Sequence, residues 1–194
     1  MYQGSSLYVF TIPIIAYIIW RCARERESFV HLLMWIAFSV YVTELLSRTF
    51  FPLPVDAAYI ALERANAYGS HNLIPFRTIA AMLAHPVPGV AFMQVFGNLV
   101  LFLPFGYFLP LLFSRFSGFR RAMTTLLALV LTVEIGQLLL SVLVYGYTYK
   151  SFDVDDILLN LTGALAGYWI YRMLSPRTRS SLSTQSVVDS ESHP

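Results

Sequence analysis

Charge is what this sequence has least of. Only 12% of its 194 residues are Asp, Glu, Lys or Arg, against roughly a quarter in a soluble domain. That scarcity excludes a water-exposed globular fold, because the chain lacks the polar residues to cover one. The formal net charge of +2 is too small to grip a polyphosphate backbone, so no nucleic-acid partner is expected. Cysteine is nearly absent too. Cys22 stands alone, which excludes an intrachain disulfide and a cysteine metal cluster. The later apolar segments contain no histidine, and no serine or cysteine is paired in sequence with a base.

Hydrophobic residues are what the sequence has in excess, at 57% of the chain with a mean hydropathy of +0.61. They gather in five segments, about Leu7–Cys22, Phe29–Phe51, Val90–Phe113, Met123–Tyr145 and Val154–Leu174, each near the roughly 20 residues a bilayer span requires. The expected fold is all-α, a polytopic membrane bundle of about five transmembrane helices. The first segment does not read as a cleaved leader, since no basic residue precedes it and Arg21, Arg24 and Arg26 follow. Pro104, Gly106 and Pro110 interrupt the third, and proline inside a span is tolerated only where neighbours satisfy the freed carbonyls.

An odd number of spans puts the termini on opposite sides, and basic residues decide which is inside. Arg21, Arg24, Arg26, Arg115, Arg120, Arg121, Arg172, Arg177 and Arg179 fall on one side, nine of the thirteen basic residues. Arg48, Arg64, Arg77 and Lys150 fall on the other. The expected localisation is the cell membrane, with the N-terminus extracytoplasmic and the C-terminus cytoplasmic. The connection Pro52–Pro88 and the short one at Gly146–Phe152 are then outside. Residues 175–194, rich in Ser, Thr, Asp and Glu, read as a disordered cytoplasmic tail.

Ionisable groups within spans are costly and ordinarily face the bundle interior, so each marks a candidate site. Glu134 lies eleven residues beyond Met123, roughly 17 Å along a helix. Gln137 follows on the same face. Asn98 lies a turn or two inside the third span, and Glu44 and Arg48 are i,i+4 partners in the second. Asp156, Asn160, Gly163 and Gly167 form one stripe on the fifth. Asp153 or Asp155 suits the cap of that helix, but a cap needs one aspartate and this stretch has three. Gly163 and Gly167 make a GxxxG pattern, read as close packing against another span of the same chain. Tyr145, Tyr147, Tyr149 and Trp169 read as interfacial anchors.

The outer connection carries NLIPFRTIAAML, Asn72–Leu83. It is too short and proline-broken for a span and is expected to lie in the interface or re-enter the bundle. Asn72 is placed to cap it, and Arg77 to pair with a buried carboxylate or touch a lipid phosphate. The salt bridge is favoured, because an unpaired carboxylate in low dielectric is expensive.

Four pieces read together resemble the VanZ-like family of bacterial membrane proteins. They are NLIPF (Asn72–Phe76), GNLVLFLPFGYFLP (Gly97–Pro110), EIGQ (Glu134–Gln137) and FDVDDILLNLTGALAGY (Phe152–Tyr168). Where the family often has an arginine shortly before the aspartates, this chain has Lys150, which keeps the charge but loses the bidentate geometry. The resemblance implies a VanZ-like transmembrane domain over residues 1–174. It also implies a cell-envelope role, with reduced susceptibility to teicoplanin, a lipid-tailed glycopeptide, among the expected outcomes.

Three readings stay open. In the first, an outer-half polar pocket engages a lipid head group, a lipid-linked wall precursor or a lipoglycopeptide, with Asn72, Arg77, Asn98 and Asn160 as binding residues. In the second, the protein is an intramembrane hydrolase or transferase acting on a lipid-linked substrate. Glu134 would be its general base, held by Gln137, with Asp155 and Asp156 placing substrate or a divalent cation. No other cofactor is expected, and oxygen ligands of this kind suit Mg²⁺, Mn²⁺ or Ca²⁺. In the third, the polar groups only lock helix packing.

Overall fold

The computed structural model describes residues 4–51, 53, 56–66, 71–146 and 150–175. Among these the chain forms seven α-helices and no strand. They are α1 (Tyr8–Glu25), α2 (Phe29–Phe50), α3 (Ala57–Asn66), α4 (Arg77–Leu83), α5 (Pro88–Leu112), α6 (Phe119–Tyr145) and α7 (Val154–Leu174). Each of the five apolar segments falls on a helix. The tail 176–194, with Arg177 and Arg179, and the anchors Tyr147 and Tyr149 lie outside the described residues.

Local chemistry sets the boundaries. Ser28 caps α2 by accepting from His31 N at 3.2 Å, Pro88 sits in the first turn of α5, and α6 ends at Gly146 with φ 67°. Helix α5 runs on through Pro104 and Pro110. Just before Pro104 the Tyr41 hydroxyl of α2 donates to Leu101 O at 2.7 Å, a cross-helix tie beside the proline.

Three helical stretches are long and apolar enough to cross a membrane, Phe29–Phe50, Phe92–Leu112 and Phe119–Tyr145. These three are among the five segments expected to span. Helices α1 and α7 have the length, but Arg21, Arg24 and Glu25 in one and Asp155, Asp156, Asn160 and Arg172 in the other dilute their apolarity.

The packing is inside-out relative to a soluble protein. Val9, Phe10, Ile12, Leu139, Leu143 and Met173 are exposed, while Glu134, Asp155 and Asn160 are buried. A chain in water would reverse that distribution, whereas lipid favours it. The apolar core is Leu45, Phe102, Leu109, Leu126, Val130, Ile157 and Ala164.

Helices α5 and α7 run parallel and form the tightest pair. A methyl added at Gly163 would overlap the Leu99 carbonyl, one at Gly167 the Leu103 carbonyl, and one at Gly106 the Ala164 carbonyl. The small-residue stripe therefore serves backbone-to-backbone approach within the chain.

Candidate functional site

The three aspartates that open α7 do three different things. Asp153 caps its own helix, its carboxylate accepting from Asp155 N at 2.8 Å. Asp155, 1% exposed, reaches instead to the start of α4. It accepts from the backbone N–H groups of Phe76 at 2.5 Å, Thr78 at 2.7 Å and Ile79 at 3.1 Å. Helix α4 has no cap of its own, and Phe76 before it sits in the left-handed region at φ 67°. A carboxylate from a distant helix thus satisfies the orphan donors of α4.

Asn72 closes the clasp. Its backbone pairs with the chain entering α7, N to Phe152 O at 2.9 Å and O from Val154 N at 3.0 Å. Its amide donates to Asp153 and to Thr78 Oγ1, both at 2.9 Å, and the Thr78 hydroxyl donates to Asp153 at 2.6 Å. The NLIPF and DVDD motifs are therefore two halves of one hydrogen-bonded unit.

This corrects two expectations. Asn72 does not cap α4, because its side-chain oxygen accepts from Ile74 N at 3.1 Å in a local turn and Asp155 takes the capping role. Arg77 is exposed and belongs to none of the ion pairs among the described residues. The carboxylate nearest its helix already accepts from three amides and needs no cation.

Asp156 faces the bundle and accepts from the Asn98 amide of α5. Glu134, on α6 and 3% exposed, has Asp156, Lys150 and the Asp153 backbone as its electrostatic neighbours. Asn160, one turn further along α7, is equally buried at 3%, and its Oδ1 has no protein partner. Gln137 does not hold Glu134. Its amide donates to Thr49 O of α2 at 2.8 Å, and the Lys150 ammonium donates to the same carbonyl. The polar set thus divides into a clasp at the mouth, a carboxyl cluster of Glu134 and Asp156 with Asn98 and Asn160, and a Gln137–Thr49–Lys150 link to α2.

Lys150 enters this cluster from the connection before α7, where Ser141 Oγ accepts from its backbone N at 2.9 Å. Burial pushes its ammonium below the ordinary lysine value, against the pull of Glu134 and Asp156. In the sequence Lys150 stands out only as a base ahead of the aspartates. Thr78 and Thr49 carry no sequence signal, since one acts through its hydroxyl and backbone N–H in the first turn of the short α4 and the other through its carbonyl.

Asn98 also lines a cleft of about 500 Å³ between α2 and α5, with Tyr41, Glu44, Arg48, Phe96 and Pro104. Arg48 and Glu44 form the anticipated pair at 3.2 Å, with the arginine side chain 73% exposed. Asn98 therefore connects an open cleft to the buried carboxyl cluster. Among the described residues, no three His, Cys, Asp or Glu side chains converge so as to hold a metal ion.

Residues 38–175 match a family model described as VanZ/LLP1. No curated protein and no solved structure is similar enough to this chain to count as a match.

Proposed function

The chain belongs to the VanZ-like family, and from that premise we propose that it is a cell-envelope membrane protein whose polar site engages the head group of a membrane lipid, a lipid-linked wall precursor or a lipoglycopeptide. Its activity would lower teicoplanin susceptibility. The observation that carries this reading is Asn98, which borders the α2–α5 cleft and donates to Asp156 within the bundle. A head group entering the cleft would meet the Glu44–Arg48 pair first and Asn98 next. Beyond lie two carboxyl groups that share one lysine and the unpartnered Asn160 oxygen. An unpaired buried carbonyl oxygen costs about 1–3 kcal/mol, which a donor on a ligand would recover.

The arrangement favours binding over the enzymatic alternative. Asp155 accepts from three backbone amides, so it is occupied as a positioning group, and Gln137 is committed to α2. Glu134 and Asp156 remain as the groups with a functional role.

Native mass spectrometry of the purified protein tests this reading, with phosphatidylglycerol, a polyprenyl-diphosphate disaccharide and teicoplanin as separate probes. One of them should be retained by wild type and lost at least about tenfold on Asn98→Leu, the expected cost of removing one hydrogen bond to a charged group. Equal, weak retention of all three by both proteins would reject the site.

The topology belongs to the same proposal, with N-terminus outside and C-terminus inside. In a Cys22→Ser background, Ser151→Cys should react with an impermeant thiol reagent on intact cells. Ser114→Cys should stay protected until the membrane is opened. Labelling of Ser114→Cys on intact cells would reverse the orientation.

A further inference from the structure

At the opposite end of the bundle, the turn between α5 and α6 forms a cup of about 480 Å³ whose lining includes Arg115, Arg120, Arg121, Ser114 and Ser117. All three arginines are exposed, and the ion pairs among the described residues lie elsewhere. Arg24, Arg26 and Arg77 likewise belong to none of these ion pairs, so what sets Arg115, Arg120 and Arg121 apart is that they line one concavity. Arg21 pairs with Glu25 and Glu27, Arg48 pairs with Glu44, and Arg172 donates to Tyr168. The first turns on both sides of the cup contain no acidic residue. Three cations therefore converge on one concavity with no ion-pair partner among the described residues, a field suited to a phosphate.

Aromatic rings fix the depth of this cup. Arg115 stacks over Phe116 at 4.6 Å, and Phe119, exposed itself, contacts the rings of Tyr168 and Trp169. Trp169, exposed near the end of α7, is the kind of residue that marks the head-group level of a bilayer. The Tyr168 hydroxyl donates to Ser117 O at 2.9 Å, tying the cup's floor to α7. A phosphate held here would sit where lipid phosphates sit, which selects a membrane lipid over a soluble anion.

We infer that the α5–α6 cup of Arg115, Arg120 and Arg121 is a binding site for the phosphate of an anionic phospholipid, separate from the polar site at the other end of the bundle. The test uses the full chain in detergent, titrated with phosphatidylglycerol and with phosphatidylcholine and read by native mass spectrometry. Wild type should prefer the anionic lipid, and the preference should fall roughly fivefold for each arginine changed to glutamine. In a triple variant it should be lost.

A control removes charge at the same end of the bundle without touching the cup. Arg24→Gln with Arg26→Gln, at the α1–α2 turn, should keep the preference. The two turns share that end because Trp35 of α2 packs edge-on against Phe113 at 5.4 Å. Equal loss in the control and the triple variant would mean a diffuse basic surface and overturn the site. Displacement of the lipid by millimolar inorganic phosphate would mean a soluble-anion site and overturn the lipid assignment. If the triple variant does not fold, the single variant Arg120→Gln carries the test, and an unchanged preference there contradicts the inference.

Discussion

Asp155→Asn is expected to leave little folded protein in the membrane. The carboxylate accepts three backbone N–H groups of the α4 start while almost wholly buried. An asparagine in the same place keeps one accepting oxygen and turns an NH₂ toward the remaining donors. At least one amide is then left unpaired in a dry setting, at about 1–3 kcal/mol, and the surviving bond loses its charge assistance. Against a total stability of about 5–15 kcal/mol, that loss releases α4 and the NLIPF turn from α7. Fluorescence-detected size-exclusion chromatography of a tagged protein measures it directly. A monodisperse, wild-type peak that survives heating as well as the parent would mean that the clasp is dispensable.

Gly163→Val should be as damaging, for a different reason. Any Cβ at this position overlaps the Leu99 carbonyl, and backbone cannot rotate away as a side chain can. The two helices must separate, and overpacking of this kind costs about 1–3 kcal/mol or more. Separation also pulls Asn98, the neighbour of Leu99, away from Asp156, so packing and site fail together. Gly97→Ala is the matched control, because a methyl there meets nothing within 4 Å. Alanine in a helix is favoured over glycine by about 1 kcal/mol, so that variant should melt at or above the wild-type temperature. A Gly163→Val protein that melts with wild type would contradict the α5–α7 packing.

Much of this architecture was legible in the residues. The five apolar segments, the Asp156–Asn160–Gly163–Gly167 stripe and the Glu44–Arg48 pair follow from helical periodicity, a local property. What periodicity cannot supply is the partner of a polar group that reaches across the fold. Asp155 looked like a local cap or a group placing substrate or a divalent cation because the amides it serves lie 76 to 79 positions earlier in the chain. Arg77 looked like the natural partner of a buried carboxylate for the same reason, since the competing amides were invisible. Gln137 shared a face with Glu134, yet a neighbouring carbonyl on α2 claimed it. Lys150 lay in a connection with no pattern, and only the packed bundle brings it beside Glu134 and Asp156.

The role proposed for Glu134 and Asp156 is functional and not scaffolding. Its most direct test is the teicoplanin susceptibility of a host expressing Glu134→Gln, normalised to the amount of protein in the membrane. The substitution keeps shape and hydrogen-bonding capacity, and Lys150 retains Asp156 as a counter-charge, so no buried cation is stranded. Accumulation should therefore match wild type while protection falls to the level of the empty host. Wild-type protection at normal accumulation, or protein level and protection falling together, would contradict the account.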